Sequence, residues 1–461
     1  EALRDRLQVE GGIGQLLKEE PMGLDELGDW RRAHYSSEIN PALDGSDVTI
    51  FGWIEDIRDL GRIKFLTLRD REGLIQITVK EGGAPPQVLS RLGLIGRQYA
   101  IGVKGRVRAV KEAPKGVEVE PSEIKILGIA KYPLPIDPTG RVAAEIDVRL
   151  DNRVLDLRRP IPSAIFKIRH AVVGEIRNFL AEEGFLEVHT PKIISSATEG
   201  GAALFAVEFF KRKAYLAQSP ELYKEQLSSV FEKVFEIGTY FRAEESHTRR
   251  HLNEFVSVDV EEAFVGMEEV MDIQERLILR VADRVAKSCG AELELLGVRA
   301  PAPRAPFRRY SYDEILEELR GLGFNLDWGE DIPTPAYREL GKLHRGEYYF
   351  ITNWPTRTKP FYIKPLPHDP DRSHSFDFMY EWIEISSGGA RVDDKDLLVR
   401  RLVEQGLDPD NFRHFLRAFD FGMPPHAGFG MGLDRLMMVL TGMENIREVV
   451  LFPRDRFRLE P

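Results

Sequence analysis

The sequence predicts an α+β chain, in which a small β-barrel precedes a larger domain built on a largely antiparallel sheet flanked by helices. Three observations carry that expectation. Five short strand-like runs crowd between Val48 and Leu127, separated by Gly, Asp and Pro. A stiff, proline-rich connector, Tyr132–Gly140, follows. Beyond it, strand-like runs and one-faced helices are interspersed in an order that suits α+β packing.

Residues 1–30 show no strand pattern and are read as an appendage with one helix around Gly14–Glu20. The barrel, residues 31–132, takes its strands from Val48–Ile54, Ile63–Leu68, Leu74–Val79, Tyr99–Val107 and Ile124–Leu127, with a helical piece near Pro86–Leu92. Five strands of this length fit a Greek-key barrel of the OB type, whose exposed face commonly binds single-stranded nucleic acid. A small barrel without such a partner stays open at this point. Residues 133–160 read as a hinge, and residues 161–461 as the larger domain.

That domain opens with a helix over Ser163–Glu183, because Ile165, Ile168, Val172, Ile176, Phe179 and Leu180 recur on one face. Gly184 stops it, and a strand, Phe185–His189, runs into Pro191. Further strands are expected at Ala214–Ala217, Val234–Phe241, Phe255–Phe264, Tyr348–Asn353, Phe361–Lys364 and Phe376–Ile385. Helices are expected at Met267–Ser288, Ser311–Gly321, Asp394–Gln405, Asp410–Arg417 and Leu433–Leu440.

Composition narrows the function classes. With 461 residues, 43% hydrophobic and 30% charged, the chain suits a soluble protein of two or three domains. No apolar run is long enough for a membrane span, and the acidic start lacks the order of a secretory signal. The single cysteine, Cys289, excludes an internal disulfide and any multi-cysteine metal site, so a cytoplasmic setting is expected. A net charge of −11 does not favour a bulk electrostatic grip on nucleic acid, which would have to be met by local patches and stacking.

Four groups of residues carry chemistry. Phe241–Phe255 reads as a hairpin with a cationic tip; Arg242 could hold a phosphate bidentately and an aromatic could stack on a base. A solvated surface hairpin would look the same. Gly428-Phe429-Gly430-Met431-Gly432 runs into a helix bearing Arg435; it is neither a dinucleotide fingerprint nor a P-loop. Its glycines would let the backbone lie flat beneath a planar ligand. Asp377 and Glu384 are hard oxygen donors for Mg²⁺, but seven positions apart in one strand they face opposite ways unless a bulge intervenes. Gln218–Lys224 and Glu384–Arg391 each end in a cation, and Thr198–Gly201 is a polar loop, a set that a zwitterion with an extra carboxylate would need.

In order, Pro191 after a long helix and strand, the Phe241–Phe255 hairpin and the glycine-rich Gly428–Arg435 resemble motifs one, two and three of the class II aminoacyl-tRNA synthetases, with Leu155–Pro160, Thr198–Gly201, Pro424–Gly428 and Leu451–Asp455 in support. With a barrel in front, the chain is similar to the aspartate/asparagine/lysine subgroup, and within it to the aspartate-specific enzymes of archaeal and eukaryotic type. The resemblance implies roles. Arg242, Glu244, His251, Phe255, Glu384, Gly432 and Arg435 would bind ATP, with Arg242, Glu384 and Arg435 central to the chemistry. Asp377, Glu384 and Ser387 would hold Mg²⁺. Glu199, Ser219, Glu221, Lys224, Asp259, Ser387 and Arg391 would surround aspartate. Phe65, Gln76 and Glu118 would read the anticodon of tRNA(Asp), with tRNA(Asn) open as a second acceptor. A homodimer through the helix and strand around Pro191 is also implied.

The chain departs from the pattern in places. Glu221 stands where the family usually has Gln, and would repel the substrate's α-carboxylate unless protonated, turned away or paired. Val392-Asp393-Asp394 replaces a stretch that commonly contains His, and Glu55 and Pro114 lie where the outer anticodon bases are read. An asparagine-specific synthetase should lack the Lys224 equivalent, and a non-catalytic tRNA-binding paralogue should have lost Arg242, Glu384 or Arg435; all four are present.

Overall fold

The computed structural model describes residues 23–195, 203–245 and 248–461. The helix expected around Gly14–Glu20 and the loop carrying Glu199 lie outside the described residues. The chain divides into two compact units, Glu1–Val142 and Ala143–Pro461.

In the first unit β1 (Asp47–Asp59), β2 (Ile63–Arg69), β3 (Leu74–Lys80), β4 (Ala100–Ala109) and β5 (Val117–Gly128) close into a barrel in the order β1-β2-β3-β5-β4. Helix α1 (Pro86–Leu92) lies between β3 and β4 in sequence, with Val88 buried. Period-two alternation sets the faces: Leu66, Leu68, Ile75, Ile77 and Val79 fill the core, and Phe65, Thr67 and Gln76 take the other side. A bulge in β1 between Ile54 and Asp56 takes Glu55 out of the ladder, where Arg69 pairs with it at 3.4 Å. The end of the expected appendage is held to the barrel. The Asp25 N–H donates to the Ile126 carbonyl, and its carboxylate pairs with Arg91 at 2.7 Å. Trp30 is buried beneath the ammonium groups of Lys104 and Lys125.

The second unit is built on an eight-stranded sheet. In chain order its strands are β6 (Leu186–Glu187), β7 (Lys233–Phe241), β8 (Glu254–Ala263), β9 (Arg308–Ser311), β10 (Tyr348–Thr352), β11 (Ser375–Tyr380), β12 (Ile383–Ala390) and β13 (His426–Gly432). In space they run β9-β10-β11-β12-β13-β8-β7-β6, antiparallel except for the pairs at the two edges, β9–β10 and β6–β7. One core cluster joins the sheet to α2 (Pro160–Glu182) and α4 (Met267–Ser288), and α3 (Glu221–Phe231) lies between them in sequence. Helix α2 starts with proline at its first position, where no N–H is needed, and Gly184 follows it in the left-handed region at φ 86°. All six of its expected apolar positions are buried.

Several expected elements take another form. Phe376–Ile385, read as one strand, is a hairpin, β11 and β12, which turns at Glu381–Trp382. Phe361–Lys364 is not a strand; it makes one isolated bridge, Ile363 to Arg391, between Pro360 and Pro365. Its residues Phe361, Tyr362 and Ile363 are buried in a separate cluster, so the apolar run signalled burial rather than pairing. Phe185–His189 shrinks to the two residues of β6. The strand at Ala214–Ala217 is one arm of a hairpin, Ala206–Phe209 with Arg212–Leu216. Residues 143–160, read as part of a hinge, fold with the second unit, because Arg153 is buried, paired with Asp156 at 2.7 Å and donating to the carbonyls of Val450 and Leu451.

Candidate active site

Four neighbouring strands build the site in one row. Asp377 of β11 stands opposite Ser387 of β12, Ser387 opposite Gly430 of β13, and Gly430 opposite Asp259 of β8. Directly opposed residues share a face, so two acids and a hydroxyl rise from a floor that is bare glycine in the middle. Gly428 and Gly432, two positions either side of Gly430, keep that face clear, while Phe429 and Met431 point down into the core. A Cβ on Gly428 would collide with the carboxylate of Glu261. A Cβ on Gly432 would meet nothing nearer than 3.7 Å, so that end of the floor is open.

Over this floor lies a cavity of about 280 Å³. One group of its lining residues comes from the β7–β8 hairpin and the start of α5 (Leu433–Thr441). Asn253 pins the hairpin loop by donating its amide to the carbonyls of Arg242 and Glu244, at 2.7 and 2.9 Å. The Arg242 guanidinium sits 5.2 Å over the Phe255 ring. Arg435 donates to the Glu384 carbonyl at 3.0 Å, lies 3.4 Å from the Glu384 carboxylate, and faces His251 at 3.5 Å. Burial, and then the Arg435 charge, hold the His251 imidazole below its ordinary pKa. Asp434, one residue before Arg435 and 2% exposed, sets this helix: it accepts from Arg169 of α2 at 2.6 Å and from the Val256 N–H at 3.0 Å.

A second group surrounds two buried cations. Lys224 of α3 reaches Glu221 at 2.9 Å, Asp259 at 3.2 Å and Glu261 at 3.5 Å, and donates to the Phe429 carbonyl at 3.2 Å. Arg391, at the end of β12, reaches Glu221 at 2.9 Å and Glu261 at 3.0 Å. Burial works against both charged forms, but Glu221, Asp259 and Glu261 more than offset it for Lys224, and Glu221, Glu261 and Glu225 for Arg391, so both cations lie above their ordinary pKa values. Asp259 goes the other way, with burial outweighing Lys224 and pushing its carboxyl up. Glu221 and Arg391 line the cavity, whereas Lys224 stands behind Glu221. Ser219 is buried just before α3, where its hydroxyl accepts from the Glu221 N–H at 3.4 Å.

The hairpin resolves the geometry of Asp377 and Glu384. They sit on opposite strands, Asp377 across from Ser387 and Glu384 across from Met379, with a bulge between Phe378 and Met379. Glu384 raises the Asp377 carboxyl on top of the larger effect of burial, so the two sense each other's charge. Lys359 grips both Asp377 oxygens, at 2.7 and 2.9 Å. Two carboxylates and the Ser387 hydroxyl fit a hard divalent cation. No group of three or more His, Cys, Asp or Glu that could hold a metal occurs among the described residues. Such a cation would have to complete its oxygen shell from outside these side chains.

On the barrel, Gln76 donates to Glu118 at 3.1 Å, and Thr78 donates to the same oxygen at 2.5 Å. Phe65 stands directly opposite Thr78 and so shares a face with Gln76, whereas Glu118, bonded to Gln76 and Thr78, is buried. Pro114 begins the turn Pro114–Gly116 between β4 and β5.

The second unit matches the family of tRNA synthetases class II (D, K and N) over residues 145–456, and the barrel matches the OB-fold nucleic acid binding domain over residues 48–127. The chain belongs to the class II tRNA synthetases for aspartate, lysine and asparagine. An aspartate–tRNA(Asp/Asn) ligase of Methanothermobacter thermautotrophicus is 51% identical over 94% of this synthetase and 100% of the relative. An aspartate–tRNA(Asp) ligase of Pyrococcus abyssi is 48% identical over 93% and 100%. The asparaginyl-tRNA synthetase of Pyrococcus horikoshii, solved with asparaginyl-adenylate, superposes with a TM-score of 0.88 at 32% identity, covering 94% and 100%.

In this synthetase, Arg242, Glu244, His251, Phe255, Gly432, Arg435, Glu384, Ser387, Glu221, Asp259 and Arg391 all line one cavity. Lys224, Ser219 and Asp377 lie outside its wall, and Phe65, Gln76 and Glu118 belong to the other unit. Sequence reading missed Asp434, Asn253, Glu261 and Lys359. Asp434 beside Arg435 in the glycine-rich segment was the one available signal; the other three read as ordinary surface polar residues.

Proposed function

We propose that this synthetase joins L-aspartate to ATP as aspartyl-adenylate and passes the aspartyl group to tRNA(Asp). The observation that carries the amino-acid reading is the pair of buried cations, Lys224 and Arg391, 1% and 2% exposed at one end of the cavity. Two cations there suit a side-chain carboxylate and reject an uncharged isostere. The names of the Methanothermobacter and Pyrococcus abyssi relatives support the same amino acid. The first of these names also supports tRNA(Asn) as a second acceptor.

In this reading ATP lies on the glycine floor, with its adenine between Phe255 and Arg435 and its edge read by Glu244. Arg242 takes the α-phosphate, and His251 lies beside the outer phosphates. Glu199, Asp259 and Ser219 attend the α-ammonium, Glu221 the α-carboxylate, and Lys224 and Arg391 the side chain. An oxygen of the aspartate α-carboxylate bonds to the α-phosphorus in line, the bond to the bridging oxygen breaks, and pyrophosphate leaves. No protein nucleophile is needed; positioning and the Arg242 charge do the catalysis. Asp377, Glu384 and Ser387 would hold Mg²⁺, which neutralises phosphate charge when bound. In the second step a terminal ribose hydroxyl of tRNA attacks the aspartyl carbonyl carbon of the anhydride; an ester forms, the acyl–phosphate bond breaks, AMP leaves and the hydroxyl proton is released to solvent, while Phe65 stacks on an anticodon base and Gln76 and Glu118 read base edges.

A homodimer through the α2–β6 region is part of the proposal, supported by the exposed Leu186 and Ile193. The proposed setting is the cytoplasm. No described helix is long and apolar enough to cross a membrane.

Glu221 favours a second reading, an asparaginyl-tRNA synthetase. It already neutralises the two cations, and a neutral amide would add no charge. ATP–pyrophosphate exchange with aspartate, asparagine and lysine decides between them, followed by charging of tRNA(Asp) and tRNA(Asn). Exchange with aspartate alone is expected. Exchange with asparagine alone would overturn the proposal.

A further inference from the structure

Glu221 occupies the place the substrate's side chain is meant to take. Its two carboxylate oxygens lie 2.9 Å from Lys224 and 2.9 Å from Arg391, and the residue is 4% exposed. It lines the cavity, whereas Lys224, 1% exposed, is held behind the carboxylates of Glu221 and Asp259 that line it.

Charge makes the conflict sharper. Around Glu221 stand Lys224 and Glu225 from α3, Asp259 and Glu261 from β8, and Arg391 just beyond β12, with His426 of β13 hydrogen-bonded to Glu225 at 3.2 Å; β7 and the helix Arg413–Phe419 also pack on α3. Setting aside the Glu225–His426 pair, three carboxylates already face two cations. Aspartate would bring two more carboxylates and one ammonium into the same desolvated space. Expelling Glu221 would break two ion pairs and unseat the first turn of α3. Neutralising it needs only a proton, and a protonated carboxyl has the shape of a glutamine amide and an O–H to donate. The neighbouring carboxyls divide: burial pushes Asp259 up, burial together with Glu221 and Glu261 outweighs His426 to push Glu225 up, and Glu261, despite its burial, is held down by Arg391 and Lys224.

We propose that aspartate enters this site together with one proton, which Glu221 holds. Lys224 and Arg391 then turn from Glu221 to the substrate's side-chain carboxylate, and the Glu221 O–H donates to its α-carboxylate. Glu221 thereby becomes the residue that sets aspartate affinity against pH. The inference rests on the aspartate reading above.

Calorimetric titration of the whole protein with aspartate, in two buffers of different ionisation enthalpy near neutral pH, counts the protons directly. Uptake close to one proton per aspartate is expected for the wild type and close to none for Glu221→Gln. In pyrophosphate exchange, the wild-type KM for aspartate should rise about tenfold per pH unit above its midpoint, and the Glu221→Gln profile should flatten. No uptake by the wild type overturns the inference without help from any variant. Uptake that persists in Glu221→Gln also overturns it, by placing the proton on Glu225–His426. A protein that exchanges with asparagine and not aspartate refutes the aspartate reading instead.

Discussion

Lys224→Met tests the buried charge cluster most directly. Methionine keeps the length and the apolar stem, so little empty volume is left. What disappears is the ammonium shared by Glu221, Asp259 and Glu261, together with its bond to the Phe429 carbonyl. Breaking a buried ion pair from one side costs about 3–5 kcal/mol. Arg391 still compensates Glu221 and Glu261, which favours the low end, about 3 kcal/mol. A unit of this size loses roughly 2 °C per kcal/mol, so its transition should fall by about 6 °C. The sign with pH follows from Asp259, whose carboxyl burial already pushes up and which loses the Lys224 charge that opposes that rise. Its folded pKa lies above the unfolded one, so stability is retained at low pH and lost as pH rises through the folded value. The deficit should therefore shrink on acidification from neutral pH and widen in mild alkali. Scanning calorimetry over a pH series measures it, with aspartate-dependent pyrophosphate exchange alongside. Adding Glu221→Gln should recover about half of the loss. A transition within about 1 °C of wild type, a deficit that grows on acidification, or unchanged aspartate exchange would refute the reasoning.

Arg242→Ala should cut adenylate formation by at least about 10²–10³ while leaving tRNA binding intact, measured by exchange and filter binding. Asp434→Asn loses the charge facing Arg169, and should lower stability by about 1–3 kcal/mol and slow exchange by misplacing Arg435, read by calorimetry and kcat. Phe65→Ala should weaken tRNA charging and spare amino-acid activation; loss of both would point to misfolding instead. The His251 ring, held down by burial and Arg435, should titrate below its ordinary midpoint by NMR and move up when a triphosphate binds beside it.

The parts of the fold legible in the sequence were those with a strong local period. Helix α2 shows its face in six apolar residues, and the barrel strands alternate cleanly. The β11–β12 hairpin was hidden because its turn, Glu381–Trp382, has no glycine, proline or asparagine to mark it. That one omission left Asp377 and Glu384 apparently back to back, when a turn and a bulge place them on facing strands. Phe361–Lys364 deceived for the opposite reason, since apolar content reports burial whether or not a ladder forms. Within the site, residue types and order gave the nucleotide end. The partners of Lys224 and Arg391 come from strands far away in sequence, and only their pairing reveals that Glu221 holds both.

The place of β13 in the sheet bears on how the chain is made. This strand is the last of the eight to be synthesised, yet it lies between β8 and β12 in the middle of the sheet. Until it emerges, β8 and β12 present two long unpaired edges, the kind of surface that recruits foreign strands. The glycine floor arrives with it, so a nascent chain has neither a nucleotide bed nor a closed sheet until His426–Gly432 has emerged. A chain cut before His426 should therefore not be rescued by ligand, because the strand that closes the sheet and carries the floor is missing.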